Sequence, residues 1–209
     1  MSIRITRCRI CGNTELIPVV DLGVQYLTGI FPKNDDAETL TKGPLRLVKC
    51  HGGKECCGLL QLEHNYDLNE LYSINYGYRS GLNASMVRHL YNKVADIIDR
   101  YELKKGDLVI DIGSNDGTTL AAYPKHLQLV GIDPTGKKFK SYYEKHIDLI
   151  TEFFSSDLIS HSFPGKKAKV VTSISMFYDL ENPIDFARQV ASIVDQHEGI
   201  WVLEQSYMP

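Results

Sequence analysis

A glycine-containing acidic loop directly follows an apolar run in the second half of the chain. The run and the loop together read VIDIGSNDG over positions 109–117, and a helical pattern begins near Thr118. This order is typical of a strand, a tight turn and a helix, and in open α/β sheets ligands bind beyond the carboxyl ends of such strands. Glycine at this point lets the backbone turn and approach a ligand closely. We expect the following residues to bind a cofactor: Asp111, Gly113, Ser114, Asn115, Asp116 and Gly117.

The composition of this loop indicates which cofactor it binds. Its spacing is not the G-x-G-x-x-G of dinucleotide folds, and its acidity suits a ligand with an ammonium and a sulfonium group, as in S-adenosylmethionine (SAM). Asp111 could meet the cationic amino-acid part. Asp133 ends the second apolar run, about 20 residues after the loop, where a carboxylate can accept both ribose hydroxyls. Phe153 and Phe154 follow the third run and could lie against the adenine. The alternative is that the aspartates cap helices and the phenylalanines fill the core.

All five cysteines lie in the first 57 residues. Two cysteine pairs in a small, poorly hydrophobic module suit a tetrahedral structural zinc site, which would replace a core that about 60 residues cannot easily build. The predicted ligands are Cys8, Cys11, Cys50 and Cys57. Unligated thiols are one alternative, and a redox C-x-x-C site is another, although no βαβ pattern surrounds the first pair.

The fourth zinc ligand is ambiguous, because the second cluster contains adjacent cysteines, Cys56 and Cys57. We prefer Cys57, since a Cys-Gly step also closes the first pair and leaves an amide free to turn toward the sulfur. His51 and His64 are further substitutes.

Three segments position these residues. We predict a zinc-binding module over 1–63, a helical linker with substrate-side residues over 64–104, and a SAM-binding domain over 105–209. Five apolar runs alternate with helical segments in the last of these. This alternation predicts a parallel sheet and an α/β, Rossmann-like fold.

An amphipathic helix precedes the SAM-binding domain. Its apolar residues recur at spacings of three and four between Met86 and Tyr101. Asn83 or Ser85 could cap its start. His89 lies outside the main apolar stripe, and we interpret it as structural.

Bulk properties exclude several classes of protein. The net charge of −3 over 209 residues argues against a basic nucleic-acid surface. No apolar run approaches the roughly 20 residues of a membrane helix, and the N-terminus has no signal-peptide core. We therefore expect a cytoplasmic protein, in which cysteines are more often metal ligands or free thiols than members of disulfides.

These features together resemble the SAM-dependent sugar C-methyltransferases, which act on nucleotide-linked 4-keto-6-deoxyhexoses. The matching stretches cover nearly the whole chain, in the family's order: CRICG, DLGVQYLTGIFP, CCGLLQL, YGYRSGLNASMVRHL, VIDIGSNDGTTL, GIDPT, TEFFS and LEQSYMP. The resemblance implies a class I SAM methyltransferase domain, an N-terminal zinc-binding module and a place in deoxysugar biosynthesis.

The resemblance also implies a substrate side. A ketone acidifies the neighbouring carbon, a general base removes its proton, and the enolate attacks the methyl group. Tyr76, Tyr78 and Arg79 of the YGYRSG motif are the substrate-binding candidates, and Arg79 could pair with a diphosphate. Tyr76 is also the catalytic candidate within the chain. The alternative is an aromatic hinge beside a solvated arginine.

The sequence departs from the family in two places. An insertion, HGGKE, separates the second cysteine pair, and the chain stops at Pro209, before the family's histidine- and glutamate-containing segment and its C-terminal domain. We expect the main catalytic base to lie beyond Pro209, and therefore expect residues 1–209 alone to be inactive. We also expect the fifth strand to form an edge of the sheet that favours self-association.

Other functions stay open at this point. The chain could be a methyltransferase of another small molecule or of RNA, since a zinc knuckle can bind RNA, although the acidic balance disfavours RNA. It could also be a module that holds SAM or a partner without turnover. The partner that we expect is a small molecule, with no nucleic acid and no membrane.

Overall fold

The computed structural model describes residues 2–27, 29–31, 40–72 and 75–205. The chain divides into two compact units, one formed by Met1–Tyr78 with Glu181–Ile184 and the other by Arg79–Leu180 with Asp185–Pro209. No helix in these described ranges is long and apolar enough to cross a membrane.

The first unit is built from short antiparallel sheets. Its elements are β1 (Ile3–Arg4), β2 (Leu16–Tyr26), β3 (Lys42–Cys50), β4 (Leu60–Leu62), β5 (His64–Asn65) and α1 (Leu68–Leu71). The strand orders are β2-β3-β4 and β1-β5. The buried apolar side chains among the described residues of its N-terminal segment, up to Tyr78, are Cys8, Val48 and Cys50. So small a core agrees with the expectation that cysteines replace apolar packing here.

A five-stranded parallel sheet forms the second unit, as the alternating apolar runs predicted. Its strands are β6 (Leu108–Ile112), β7 (Gln128–Ile132), β8 (Ile147–Ile150), β9 (Ala168–Ile174) and β10 (Ile200–Glu204). They lie in the order β10-β9-β6-β7-β8. The chain runs from β6 outward to β8 and then returns to the other side of β6. The loop after β6 is therefore at a topological switch point, where such sheets bind ligands.

Helices accompany this sheet. They are α2 (Ala84–Arg100), α3 (Thr118–Ala121), α4 (Gly136–Phe139), α5 (Ser156–Ser162) and α6 (Pro183–Ile193). The predicted amphipathic helix is confirmed as α2, and Asn83 is its N-cap, because its side chain accepts a hydrogen bond from the Ser85 amide at 2.9 Å. Leu90, Val94 and Ile97 form its buried stripe.

Two apolar clusters pack in this unit, and they share the strands of the sheet. Val109 of β6 packs in the cluster that contains Val94 and Ile97 of α2. The next residue, Ile110, packs in the other cluster, which contains Phe186 of α6. Successive strand residues point to opposite faces, so a parallel sheet buried on both sides needs a continuous apolar run.

Candidate cofactor site and cysteine cluster

The loop after β6 turns tightly, as its glycines predicted. Gly113 has φ 77°, Asn115 has φ 51° and Gly117 has φ 77°. A Cβ on Gly113 would lie 3.2 Å from Met176 Cγ, so glycine fits both the backbone angle and the space. The non-glycine residue Asn115 adopts a sparsely populated left-handed conformation, which the surrounding contacts must hold.

Several hydrogen bonds anchor Asn115. Its amide donates to Asp133 Oδ2 at 2.7 Å, and its carbonyl oxygen accepts from the Tyr143 hydroxyl at 3.0 Å. Its side-chain Oδ1 accepts from the Ser80 amide at 2.9 Å. The Tyr143 hydroxyl also lies 2.7 Å from Ser114 Oγ. The loop is thus fixed by residues that follow β7 and by residues that precede α2.

Asp133 follows β7 and is buried. Its Oδ1 accepts hydrogen bonds from the Thr135 amide at 2.7 Å and from Thr135 Oγ1 at 2.6 Å, and its Oδ2 accepts from the Asn115 amide. A carboxylate offers about four acceptor positions. With these three donors in place, about one position at Oδ2 is left for a ligand hydroxyl.

Asp111, the fourth residue of β6, is fully buried. Thr172 Oγ1 of β9 donates to its Oδ1 at 2.5 Å. Burial raises the pKa of Asp111 to about 7, since the charged form loses water; the Thr172 hydrogen bond lowers this pKa and the charge of Asp133 raises it. This buried carboxyl lies at the carboxyl end of the sheet, where such sheets bind ligands. A cationic ligand there would favour its charged form.

Asp116 forms an ion pair that sequence reasoning missed. Its Oδ2 lies 3.1 Å from Arg79 Nη1 and accepts from the Gly81 amide at 2.9 Å. Its Oδ1 accepts from the amide and hydroxyl of Thr118. The Arg79 guanidinium also lies 3.9 Å from the centre of the Tyr142 ring. Arg79 and Asp116, predicted for substrate and cofactor, bind each other.

The two phenylalanines predicted beside the adenine have different surroundings. Phe154 packs in the core, with its ring centre 5.2 Å from that of Phe186. Phe153 is 41% exposed. Phe153 is therefore the better candidate for a ligand contact.

Tyr76 and Tyr78, the substrate-side candidates, lie in the first unit. Tyr76 pairs with Ile30 in an isolated β-bridge, and its ring centre is 5.4 Å from that of Tyr72. Tyr78 is exposed.

A second polar cluster joins α2 to the last residue of β10. His89 Nε2 lies 2.7 Å from Glu204 Oε1, and Lys93 Nζ lies 2.8 Å from Glu204 Oε2. Glu204 is the last residue of β10, so it lies at the carboxyl end of the sheet, as the glycine loop does. The contact with Glu204 is consistent with the structural role expected for His89, and sequence reasoning gave no signal for Glu204.

The four predicted zinc ligands come together. Their sulfur atoms all lie within 4.8 Å of one another, and the residues are Cys8, Cys11, Cys50 and Cys57. The distances are 3.4 Å between the sulfurs of Cys8 and Cys57 and 3.5 Å between those of Cys11 and Cys50. Tetrahedral zinc with Zn–S bonds of about 2.3 Å separates its sulfurs by about 3.8 Å, so the cluster fits this metal.

This geometry favours Cys57 over Cys56 as the fourth ligand. Cys56 Sγ lies instead 3.4 Å from the carbonyl oxygen of Gly52. Hydrogen bonds favour the thiolate form that binds zinc at Cys11, whereas burial raises the pKa of Cys57 to about 12. The backbone N–H groups of Asn13 and Cys57 lower the pKa of Cys11 to about 6, and Asn13 Nδ2 lies 3.5 Å from Cys50 Sγ.

Two known families match the two parts of the chain. Residues 86–206, more than half of the chain, match the family described as "Methyltransferase domain". Residues 8–72 match the family described as "Putative zinc binding domain", and this range contains the cysteine cluster.

Individual proteins give a consistent result. C-methyltransferase NovU of Streptomyces niveus is 29% identical over 156 residues, which cover 74% of this chain and 36% of that protein. The chain thus spans about a third of the length of this curated relative.

Solved structures also match, at lower identity. Plantazolicin methyltransferase BpumL, in complex with a pentazolic desmethylPZN analog and SAH, is 19% identical with a TM-score of 0.49, and the match covers 67% of this chain and 55% of that one. Coclaurine N-methyltransferase, bound to N-methylheliamine and SAH, is 12% identical with a TM-score of 0.42, over 56% and 35% of the two chains. Because both TM-scores lie below 0.5, the family assignment depends on the sequence match over 86–206.

Proposed function

Because the chain belongs to the methyltransferase-domain family, we propose that it transfers the methyl group of SAM to a carbon atom of a nucleotide-linked 4-keto-deoxysugar. One observation carries the proposal: the buried carboxyl of Asp111 and the anchored glycine loop lie together at the carboxyl end of the central strand, at the switch point of the sheet.

SAM supplies an electrophilic methyl group when it is bound. We assign the binding of its cationic part to Asp111 and to the loop of Gly113, Ser114, Asn115, Asp116 and Gly117, with Asp116 acting as an anchor of the loop. Asp133 Oδ2 accepts a ribose hydroxyl. Phe153 lies against the adenine, while Phe154 packs against Phe186 in the core. The burial of Asp111 supports the proposal, since a cationic ligand offsets the cost of ionising this carboxyl.

Methylation at carbon requires loss of a proton from that carbon. A ketone next to it makes the proton acidic, and the electron pair left behind forms the new bond to the methyl carbon. The likeness to a C-methyltransferase supports methylation at carbon, and the YGYRSG motif, through the resemblance described above, supports the keto-sugar as substrate. We assign Tyr76 and Tyr78 to substrate binding, with Tyr76 as a catalytic candidate.

The zinc-binding cluster has a separate, structural role. Four cysteine ligands fill the tetrahedral coordination of zinc and leave no open position for a substrate. We propose that metal binding stabilises the module over 1–63. Residues 64–104 form a helical linker that carries the substrate-binding residues, and residues 105–209 bind SAM. A cytoplasmic location accords with free thiols that bind metal.

Turnover with a panel of nucleotide sugars tests the proposal. The full-length protein is incubated with SAM and either 4-keto-deoxysugar nucleotides or the matched sugars whose keto group has been reduced. We expect the mass of one added methylene only on the keto-sugars, and we expect a keto-sugar labelled with deuterium at the carbon that is methylated to lose that deuterium to the solvent. Methyl transfer to the reduced sugars or to RNA would contradict the substrate class.

A further inference from the structure

Residues 79–81 form polar contacts with two side chains of the loop that follows β6. Arg79 Nη1 lies 3.1 Å from Asp116 Oδ2, and the Gly81 amide donates to the same oxygen at 2.9 Å. The Ser80 amide donates to Asn115 Oδ1. A Cβ at Gly81 would lie 2.7 Å from Asp116 Oδ2, so glycine permits this close approach. The segment is therefore bound to two consecutive residues of the loop.

Arg79 also contacts the segment that follows β7. Its guanidinium stacks on the ring of Tyr142, which ends the 3₁₀ turn Lys140–Tyr142. The next residue, Tyr143, bonds to the glycine loop through its hydroxyl. Arg79 thus joins the two segments that carry the proposed SAM ligands, one after β6 and one after β7.

The charge of Arg79 is already balanced in this arrangement. The side chain of Arg79 is 17% exposed and that of Asp116 is 2% exposed, so water screens the pair little. Asp116 also accepts bonds from Gly81 and Thr118, which fills about four acceptor positions. A substrate diphosphate would have to displace Asp116 to bind this guanidinium.

We propose that Arg79 is a positioning residue for SAM, not a ligand of the substrate diphosphate; this inference rests on the function proposed above. Arg79 holds the glycine loop and the Tyr142 segment in the arrangement that binds the cofactor. Without the guanidinium, Asp116 keeps a buried charge with fewer partners, and the strained backbone of Asn115 (φ 51°) can relax. The ligand must then order the loop as it binds, which weakens affinity.

Calorimetric titration with SAM and SAH, in the absence of any sugar nucleotide, tests the inference. We expect Arg79→Ala to weaken binding about tenfold or more, as for loss of a hydrogen bond between charged groups. Arg79→Lys keeps the charge but not the planar stacking on Tyr142, so it should recover part of the affinity. Arg88→Ala, at an exposed position on α2, is the matched control and should bind as the unsubstituted chain does.

The pair itself is tested by a double-mutant cycle. The combined variant Arg79→Ala/Asp116→Asn should lose less affinity than the sum of the two single losses, because each single change removes the same contact. Thermal unfolding of every variant reports whether the chain still folds. If Arg79→Ala does not fold, Arg79→Lys replaces it in the binding measurement. Unchanged cofactor affinity in the folded Arg79 variants would overturn the inference, as would strictly additive losses.

The proposed function fails in a different way. An unsubstituted chain that binds neither SAM nor SAH would overturn the function, and the inference with it. A folded Arg79→Ala variant that binds SAH normally but has a higher KM for the sugar nucleotide would overturn only the inference. Arg79 would then be assigned to binding of the substrate diphosphate.

Discussion

Thr172 Oγ1 donates a hydrogen bond of 2.5 Å to Asp111 Oδ1 between two adjacent strands of the sheet. Both residues are buried, and burial raises the pKa of Asp111 to about 7 despite this hydrogen bond. Asp111 therefore changes its charge in the pH range in which the protein would meet its cofactor.

The affinity for SAM should rise as the pH increases toward about 7 and should level off above it. The cation binds better to ionised Asp111, and the ionised form is populated above this pKa, so binding below it must release a proton. Calorimetry in two buffers of different ionisation enthalpy measures that proton. Asp111→Asn should bind more weakly and lose the pH dependence. Thr172→Val should move the rise in affinity to higher pH, because it removes a donor that favours the carboxylate, whereas Thr172→Ser should not. An equal pH dependence in Asp111→Asn would assign the titration to another group.

Local patterns predicted much of this fold. The five strands follow from continuous apolar runs, and α2 follows from a stripe at helical spacing. The proposed cysteine ligands follow from two pairs of cysteines, each of which is followed directly by a glycine. The sequence could not decide between Asn83 and Ser85 as the cap of α2, since both residue types cap helices. It also could not separate Phe153 from Phe154, because tertiary packing alone decides which ring enters the core.

Pairs of residues far apart in the chain were beyond sequence reasoning. Arg79 and Asp116 are 37 positions apart, and His89 and Glu204 are 115 positions apart. A charged residue in a motif suggests ligand binding, but a neighbouring loop can satisfy the same charge. The folded chain shows which of these occurs, because it alone specifies the burial and the partner of each group.

Asp133→Ala should weaken SAM binding by roughly 1–3 kcal/mol, as for lost hydrogen bonds to a charged group. The substitution removes the acceptor of the Asn115 amide and the proposed acceptor of a ribose hydroxyl. Asp148→Ala, at an exposed position on β8, is the control and should have no effect.

An SAH analogue that lacks the ribose hydroxyls separates these two roles of Asp133. If the ribose contact exists, Asp133→Ala should weaken binding of SAH more than binding of the analogue. Equal losses with both ligands would mean that Asp133 acts only through Asn115.

The sheet edge formed by β10 should support self-association. Within the described strands, β10 pairs with β9 on one side and lies at the end of the strand order, and Leu203 on it is 41% exposed. An apolar edge strand can pair with a second copy, and a lysine there opposes pairing. Light scattering should show a mass that rises with concentration, less so for Leu203→Lys than for Leu203→Thr. A monomer at every concentration would contradict this prediction.

Adjacent cysteines provide a matched test of the zinc site. Cys57 belongs to the four-sulfur cluster, whereas Cys56 Sγ lies against the Gly52 carbonyl oxygen. The unsubstituted chain should contain about one zinc ion, as expected for one four-ligand site. Cys57→Ser and Cys8→Ser should lose it, and Cys56→Ser should keep it.

Loss of zinc should destabilise the first unit more than the second. The buried apolar side chains described in the first unit are few, whereas the parallel sheet packs between two apolar clusters. Hydrogen exchange after treatment with a chelator should therefore increase over the strands β2 to β4 and change little over β6, since the metal replaces a core only where one is lacking. Metal content that survives substitution of both Cys8 and Cys11 would contradict the assignment of these ligands.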